Sequence, residues 1–522
     1  MTKGVVVSGI EGTVVDVEVS VGQGLPRVII SGMPDTAISQ SPNRLRSAMI
    51  QSELAFPDTR LTINLAPASL PKAGAGLDLA IGVAVLAATR QVGPAEAAGV
   101  MHIGELGMDG TVRPVHGVLP ACLAALEAGQ REVIVPTANA AEAALVWGLR
   151  IHPVRSLSDV VAFHRVRAEG RTLDLPWPEP ADDDVEAPPS DDMRDVVGQY
   201  EARTALEVAA AGGHNVSLIG PPGAGKTLLA SRLPGILPPL TREEAMAVTS
   251  IQSVMGVFRG GPLVEKPPFV APHHGTTMPA LIGGGPGRPR PGAVTQAHAG
   301  VLFLDEAPEF RREVLDSLRQ PLERGSVTIA RSEQVVRYPC RFQLVLASNP
   351  CPCGHYIGRG AACTCTSKAR RTYLKRLSGP LLDRIDVHLQ VNAVTRSDLA
   401  AGPGEASASV ADRVLEVRER SAARWAPLGH RLNAQVPGAV LRSSPWALEA
   451  GDIAVLDQAL DTGSLTLRGY DRILRLAWVK SSHTLARPPV WARGGLTAYV
   501  SQTAEVGGNR YARQHENTSN SY

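Results

Sequence analysis

Alternation of apolar and polar positions opens the chain. Val15, Val17, Val19 and Val21 are interleaved with Asp16, Glu18 and Ser20, the period of a strand buried on one face. Residues 27–30 and 61–65 read as further short strands, with helical spacing over 37–54 between them. A helix is expected over 121–128 and a strand over 132–135, and this α/β unit ends near Arg171. The segment DLPWPEPADDDVEAPPSDD, 174–192, has little to bury; its acids and prolines mark a linker. From Met193 the pattern changes. The strands at 216–219, 301–304 and 344–347 are apolar runs rather than alternating ones, suited to a parallel sheet covered on both faces. Thr241 with Glu244, ahead of an apolar pattern, predicts a capping box. A helical region follows over 396–481. The stretch from 482 has no clean period and ends polar, and no repeat of solenoid period runs through the chain.

With 522 residues the chain exceeds a single core. Its apolar share of 44% and charged share of 20% are those of a soluble globular protein. The opening MTKGVVVSGIEG lacks a signal-peptide core, and no apolar run reaches bilayer length. The expectation is a cytoplasmic protein with no membrane partner. A net charge of +2 neither points to nucleic acid nor excludes it, because a ring that holds DNA needs only local basic loops. Six cysteines in so long a chain make no disulfide scaffold.

NVSLIGPPGAGKTLLASRL sets a strand, a GxxxxGKT loop and a helix in order. Gly220, Gly223 and Gly225 are expected to let the backbone curl so that its N–H groups face phosphate oxygens, with Pro221, Pro222 and Ala224 completing the loop. The helix start adds a dipole favourable to an anion. Lys226 is placed to reach the β- and γ-phosphates of ATP, and Thr227 to hold Mg²⁺. A chance glycine turn would not carry a strand before it and a helix after it. VLFLDE, 301–306, supplies Asp305 to the metal and Glu306 to polarise the attacking water. Two acids ending a strand say little alone; with the loop about eighty residues upstream they make a nucleotide site. Asn349, ending LVLASNP, fits the residue that orients the water, or equally an Asn capping the turn before Pro350. Arg384 in SGPLLDRID fits a finger to a neighbour's γ-phosphate, or a surface Arg paired with Asp383 or Asp386.

Cys351, Cys353, Cys363 and Cys365 lie within fifteen residues as CPC–x9–CTC. Four thiolates in two close pairs can close a tetrahedral Zn²⁺ site and leave no open position for catalysis; the alternative is four buried or free thiols. His355 is a lesser ligand candidate. Beyond the cluster, SKARRTYLKRL presents Lys368, Arg370, Arg371, Lys375 and Arg376 around Tyr373. These could meet a phosphate backbone or simply form a solvated helix face. His273 and His274 in APHHGTT read as structural or pore-loop residues rather than metal ligands, and Arg288 and Arg290 are candidates for a pore insert.

Taken together, AAAGGHNVSLIGPPGAGKT, APHHGTT, GVLFLDEAPEF, ASNPCPCG, SGPLLDRID and RGYDRILRLAW resemble the magnesium-chelatase-like AAA+ proteins of the YifB/ComM family, over residues 1 to about 478. The resemblance implies an α/β fold: a P-loop AAA+ module with a parallel sheet over 193–395, carrying the four-cysteine insert. That module would be preceded by an α/β Lon-protease-like domain over 1–172 and the linker 173–192. A helical lid over 396–481 and an atypical tail over 482–522 would follow. The resemblance also implies a homo-hexameric ring with ATP sites between subunits. It makes Asn349 sensor 1, Arg384 a trans-acting arginine finger, and Arg468 sensor 2 with Arg472 and Arg475 as rivals. It implies a β-hairpin, SVTIARSEQVVRY, whose tip carries Arg331 toward a central pore. The activity implied is that of a helicase that drives branch migration during natural transformation, with single-stranded or branched DNA as partner. After Trp478 the sequence departs from the family pattern, as a lost lid helix or a shifted reading frame would cause.

The front of the chain resembles the proteolytic domain of Lon proteases, through PKAGAGLDLA and GELGMDGTVRPVHGVLPACLAA. Gly76 stands where such enzymes carry the nucleophilic Ser, and Leu119 where they carry Lys; Ser69 and Lys72 are near but not in those positions. A serine–lysine pair needs both groups, so the expectation is a domain without peptidase activity. The other readings are a chelatase-like ATPase that remodels a protein complex, an ATP-dependent protease, and a non-enzymatic, nucleotide-gated assembly protein.

Overall fold

The computed structural model describes residues 1–173, 175–177, 191–258, 260–285, 289–330, 335–356, 362–400 and 402–483, with side chains to 479. Most of the acidic segment 174–192, together with Arg288, Arg331 and the tail from 484, lies outside the described residues.

The alternating valines form the centre of a mixed seven-stranded sheet, ordered Arg27–Ser31, Arg60–Ala66, Glu11–Gly22, Thr2–Ser8, Met101–His102, Glu132–Pro136 and Arg150–Val154. Val15 and Val17 are fully buried, while Val21 is exposed where the strand outruns the core. The helical spacing over 37–54 resolves into two helices, Thr36–Ser39 and Ser41–Gln51. Pro42 sits in the first turn of the second, where its missing N–H costs nothing. Behind the sheet runs the helix Asp78–Ala88, buried from Asp78 to Ala87. The Asp78 carboxylate receives a two-pronged contact from Arg44 there, at 2.7 and 2.8 Å.

A second sheet has five parallel strands in the order Phe269–Val270, Val301–Leu304, Gln343–Ser348, Val216–Ile219 and Val387–Gln390. Its central strands Val301–Leu304 and Gln343–Ser348 are buried on both faces, as non-alternating apolar runs require. Thr241 and Glu244 form the expected capping box of the helix Arg242–Met255. Ser326–Ala330 and Val335–Pro339 pair as an antiparallel hairpin. The helices Ser407–Trp425, Gly438–Leu441, Ala450–Asp461 and Leu467–His483 follow, around a small core of Trp425, Leu456, Tyr470 and Leu474. Among the described residues no helix is long and apolar enough to cross a membrane.

The two sheets are tied together at two places. Glu142 of the first unit accepts from the Leu119 amide at 2.9 Å and from the Ser253 hydroxyl on the helix Arg242–Met255. The Gly117 amide reaches the Ser253 carbonyl at 3.2 Å. At the other place, Gly9 lies so close to the hairpin that a Cβ there would stand 2.7 Å from the Arg337 carbonyl oxygen. Ile10 packs into the apolar cluster that holds Val336 and Tyr338.

Candidate functional site

The strand Val216–Ile219 ends in the loop 220–225, which hands over to the helix Lys226–Arg232. Gly223 and Gly225 hold φ of +76° and +87°, and a Cβ at either would stand in open space. The loop thus bends around a free concavity that only glycine builds without strain. Gly220 does not share that role, which corrects the expectation from its spacing. Its φ is not left-handed, and a Cβ would come within 2.2 Å of the Val391 carbonyl oxygen. It lets the root of the loop close against the end of the neighbouring strand.

The concavity is a cleft of about 360 Å³ lined by residues 222–228 with Asp305, Glu306, Ser348 and Asn349. Across its floor the Lys226 ammonium donates to the carbonyls of Gly220 and Pro221, at 2.8 and 2.9 Å, and to Oδ1 of Asn349 at 3.0 Å. Burial lowers the Lys226 pKa, and the Asp305 and Glu306 charges oppose that. Thr227 Oγ1 donates to Asp305 Oδ2 at 2.8 Å. A hydroxyl and a carboxylate brought together this way are the hard oxygen donors that Mg²⁺ takes, so these two residues fit the ion.

Glu306 adopts φ +51°, a left-handed backbone that costs a non-glycine residue about 1–3 kcal/mol. Its carboxylate faces His274, with Nδ1 to Oε2 at 3.2 Å. Sequence reasoning passed over His274 as a loop residue. The usable signal was the Phe269–Val270 pair just before it, which joins the sheet beside Val301–Leu304 and delivers His274 to the same edge.

Neither Arg384 nor Arg468 lines the cleft. Arg384 follows a short helix, Gly379–Leu382, and not the strand-like segment its apolar neighbours suggest. Its guanidinium pairs with Glu323 and with the Pro380 carbonyl, not with Asp383 or Asp386. Asp383 takes Arg468 at 2.8 Å, and Asp386 is buried against His214 Nδ1 at 3.0 Å. Burial, and then the charges of Arg468 and Arg319, lower the Arg384 pKa. Arg472 donates to the carbonyls of Leu382 and Ile385, and Arg475 to that of Val436. Of the three rivals, Arg468 alone keeps its head group largely in solvent, 69% exposed and beside Arg384.

The four cysteines converge. Cys351, Cys353 and Cys363 have Sγ separations of 3.3 to 3.7 Å, and the thiol sulfurs of all four lie within 4.8 Å of one another. A tetrahedron of Zn–S bonds about 2.3 Å long sets its sulfurs about 3.8 Å apart, so the set fits a zinc ion. His355 is exposed and outside the set. Lys368 and Arg371 are exposed on the helix Ser367–Leu374, whereas the Arg370 guanidinium stacks 4.0 Å over the Tyr356 ring. Arg376 is taken up by the Pro308 carbonyl and Glu309, at 3.0 and 2.9 Å. In the front unit Leu119 is fully buried, Ser69 is exposed, and the buried Lys72 ammonium reaches the Pro67 carbonyl.

Three stretches match known families. Residues 192–399 match the magnesium chelatase subunit ChlI, 17–139 match a family described as subunit ChlI of Mg-chelatase, and 404–481 match the ChlI C-terminal family. Over 477 residues the chain is 46% identical to the Mycobacterium tuberculosis protein Rv2897c, covering 91% of this chain and 93% of that protein. It is 40% identical to YifB of Salmonella typhimurium over 472 residues, 90% of each chain. It is 40% identical to the competence protein ComM of Haemophilus influenzae over 471 residues, 90% of this chain and 91% of ComM.

Proposed function

The chain belongs to the YifB/ComM family of magnesium-chelatase-like AAA+ proteins, and from that premise we propose that it is an ATP-driven DNA motor. In this reading it works as a hexameric ring in the cytoplasm. Its track is single-stranded or branched DNA, and its task is branch migration in recombination during natural transformation. The observation that carries the reading is the Lys226 ammonium laid across an open glycine loop, next to the touching pair Thr227 and Asp305.

On nucleotide binding Lys226 exchanges the Gly220, Pro221 and Asn349 oxygens for phosphate oxygens. Release from Lys226 leaves the Asn349 amide free to orient a water. Glu306, at the cleft edge, accepts a proton from that water as it attacks the γ-phosphorus, and ADP and phosphate leave. Mg²⁺ held by Thr227 and Asp305 would neutralise charge on the β- and γ-phosphates. Arg384 does not line its own cleft, which suits a finger to a neighbour's nucleotide, and Arg468 beside it is assigned as sensor 2. Lys368 and Arg371, with Arg331, which follows the strand Ser326–Ala330 in sequence, are assigned to DNA, and the four cysteines to a structural Zn²⁺. With Gly76 and Leu119 in place of a serine–lysine pair, the front unit is assigned no peptidase activity.

ATPase activity titrated with single-stranded, duplex and four-way-junction DNA tests this. Stimulation by DNA, strongest on branched or single strands, supports the motor. A second reading, a chelatase-like ATPase that remodels a protein complex, draws on the ChlI families themselves. It takes over if hydrolysis is robust and every DNA leaves it unchanged.

A further inference from the structure

The segment that carries the cysteine cluster meets the nucleotide cleft beside Asn349 and at Pro222. Cys351 stands two residues beyond Asn349 on the chain that leaves the strand Gln343–Ser348, and it is fully buried. Gly354, between the two cysteine pairs, holds φ +78° and leans on the phosphate loop. A Cβ there would meet the Pro222 ring at 2.5 and 2.6 Å. Beyond the second pair, Tyr373 is buried in the angle between the cleft and the cluster. Burial raises its pKa to about 12; the Glu309 charge adds to this, a backbone hydrogen bond from Asn349 opposes it, and Glu306 and Cys351 act more weakly in the same direction as Glu309. Arg376 then ties the insert to Pro308 and Glu309, just past Glu306.

These contacts surround the cleft, yet the segment that makes them has little core of its own. Cys353, Cys363 and Cys365 are only half-buried, and Pro352, His355, Tyr356, Ala362, Thr364 and Thr366 are exposed. A segment with so little apolar burial needs a covalent or metal staple to keep one shape. We propose that the Cys351–Cys353–Cys363–Cys365 site binds Zn²⁺ and that the bound ion sets the position of Asn349 and Pro222, making nucleotide binding and hydrolysis conditional on the metal. The inference rests on the zinc assignment made above and adds a regulatory consequence. A zinc-depleted chain keeps both sheets and loses the geometry of the cleft, so zinc supply or thiol-directed chemistry gates the motor.

The metal site and its contact with the phosphate loop can be perturbed separately. Cys363→Ser removes a ligand and leaves Gly354 and Asn349 intact. Gly354→Ala leaves all four thiols and pushes on Pro222, with left-handed strain added at its own backbone.

The experiment measures zinc content, affinity for a fluorescent ATP analogue, steady-state ATPase and far-ultraviolet circular dichroism on the full chain and both variants. The expected result is about one zinc per chain in the parent and in Gly354→Ala, and none in Cys363→Ser. Cys363→Ser should keep the parent's circular dichroism. Both variants should bind nucleotide about tenfold or more weakly, with hydrolysis falling further. If Cys363→Ser does not fold, the parent chain is stripped of zinc with a chelator instead: nucleotide binding that weakens on stripping and returns on adding Zn²⁺ supports the coupling, and affinity unchanged by stripping overturns it. Zinc-free protein with the parent's nucleotide affinity and turnover overturns the coupling and leaves the zinc assignment standing. A parent chain with no zinc and four free thiols overturns the zinc assignment itself.

Discussion

His274 directs its Nδ1 at the Glu306 carboxylate from 3.2 Å, across the edge of the cleft opposite the glycine loop. The pair comes from neighbouring strands and holds the carboxylate proposed to act on water. Glu306→Gln should therefore bind ATP as the parent does and lose turnover by about 10²–10⁴-fold, since only proton acceptance is removed. His274→Ala touches no phosphate contact, so its effect should fall on turnover and not on nucleotide affinity. Titration with a fluorescent nucleotide beside steady-state kinetics separates the two. Equal losses in both would make His274 a prop of the cleft instead.

Lys226→Ala should lose ATP binding, by at least about tenfold, because the counter-charge to the β- and γ-phosphates is removed. Calorimetric titration with a non-hydrolysable analogue reads this directly. Undiminished affinity would place the phosphates elsewhere.

Arg384→Ala should bind ATP normally and hydrolyse it about 10³-fold more slowly, the cost of a lost arginine finger. Its partner Glu323 belongs to the same chain, so the pair must open before Arg384 can reach a neighbour. Doping the variant into parent protein should depress activity by more than dilution. Strictly proportional loss would argue against catalysis in trans.

Four histidines should make the fold acid-sensitive. His102 and His164 face each other through Nε2 at 2.9 Å in the front unit, and His298 and His388 are buried in the second. Burial holds His102 well below its ordinary value and lowers each of the other three to about 4. Each is neutral in the fold and titrates near 6.5 when unfolded, so the unfolded chain binds more protons between those values. The stability they contribute is complete above about pH 6.5 and is lost as pH falls toward about 4. Thermal unfolding followed from pH 7 to 5, before most carboxylates titrate, should show a falling midpoint. A flat profile would mean that these rings are already charged in the native protein.

Neutralising Lys368 and Arg371 together should weaken DNA binding and flatten its dependence on salt, by about one unit of log–log slope per lost phosphate contact. Filter binding at several salt concentrations measures it. An unchanged slope would leave the helix Ser367–Leu374 as a solvated surface.

What the sequence made legible is what local pattern controls. The strands Val216–Ile219 and Val301–Leu304 begin and end where their apolar runs do, because each run is bounded by polar or glycine residues. The Thr241–Glu244 box is a four-residue matter and was readable for that reason. The spacing over 37–54 was misleading because helical period does not register a break at Gln40. Most of the remaining differences are contacts between distant segments. Nothing near Gly220 announces Val391, nothing near Arg384 announces Glu323, and nothing near Gly354 announces Pro222. His274 was hidden likewise, since two residues of edge strand leave almost no periodic signal.

Gly9 and Ile10 give the hairpin Ser326–Pro339 an abutment. A lever free at its root would swing without disturbing anything else. This one has a fulcrum on the front sheet, at the turn between the strands Thr2–Ser8 and Glu11–Gly22. The same two units are clasped again where Ser253 meets Glu142 and Gly117. With two separate points of engagement, the front unit braces the hairpin and the helix Arg242–Met255 at once.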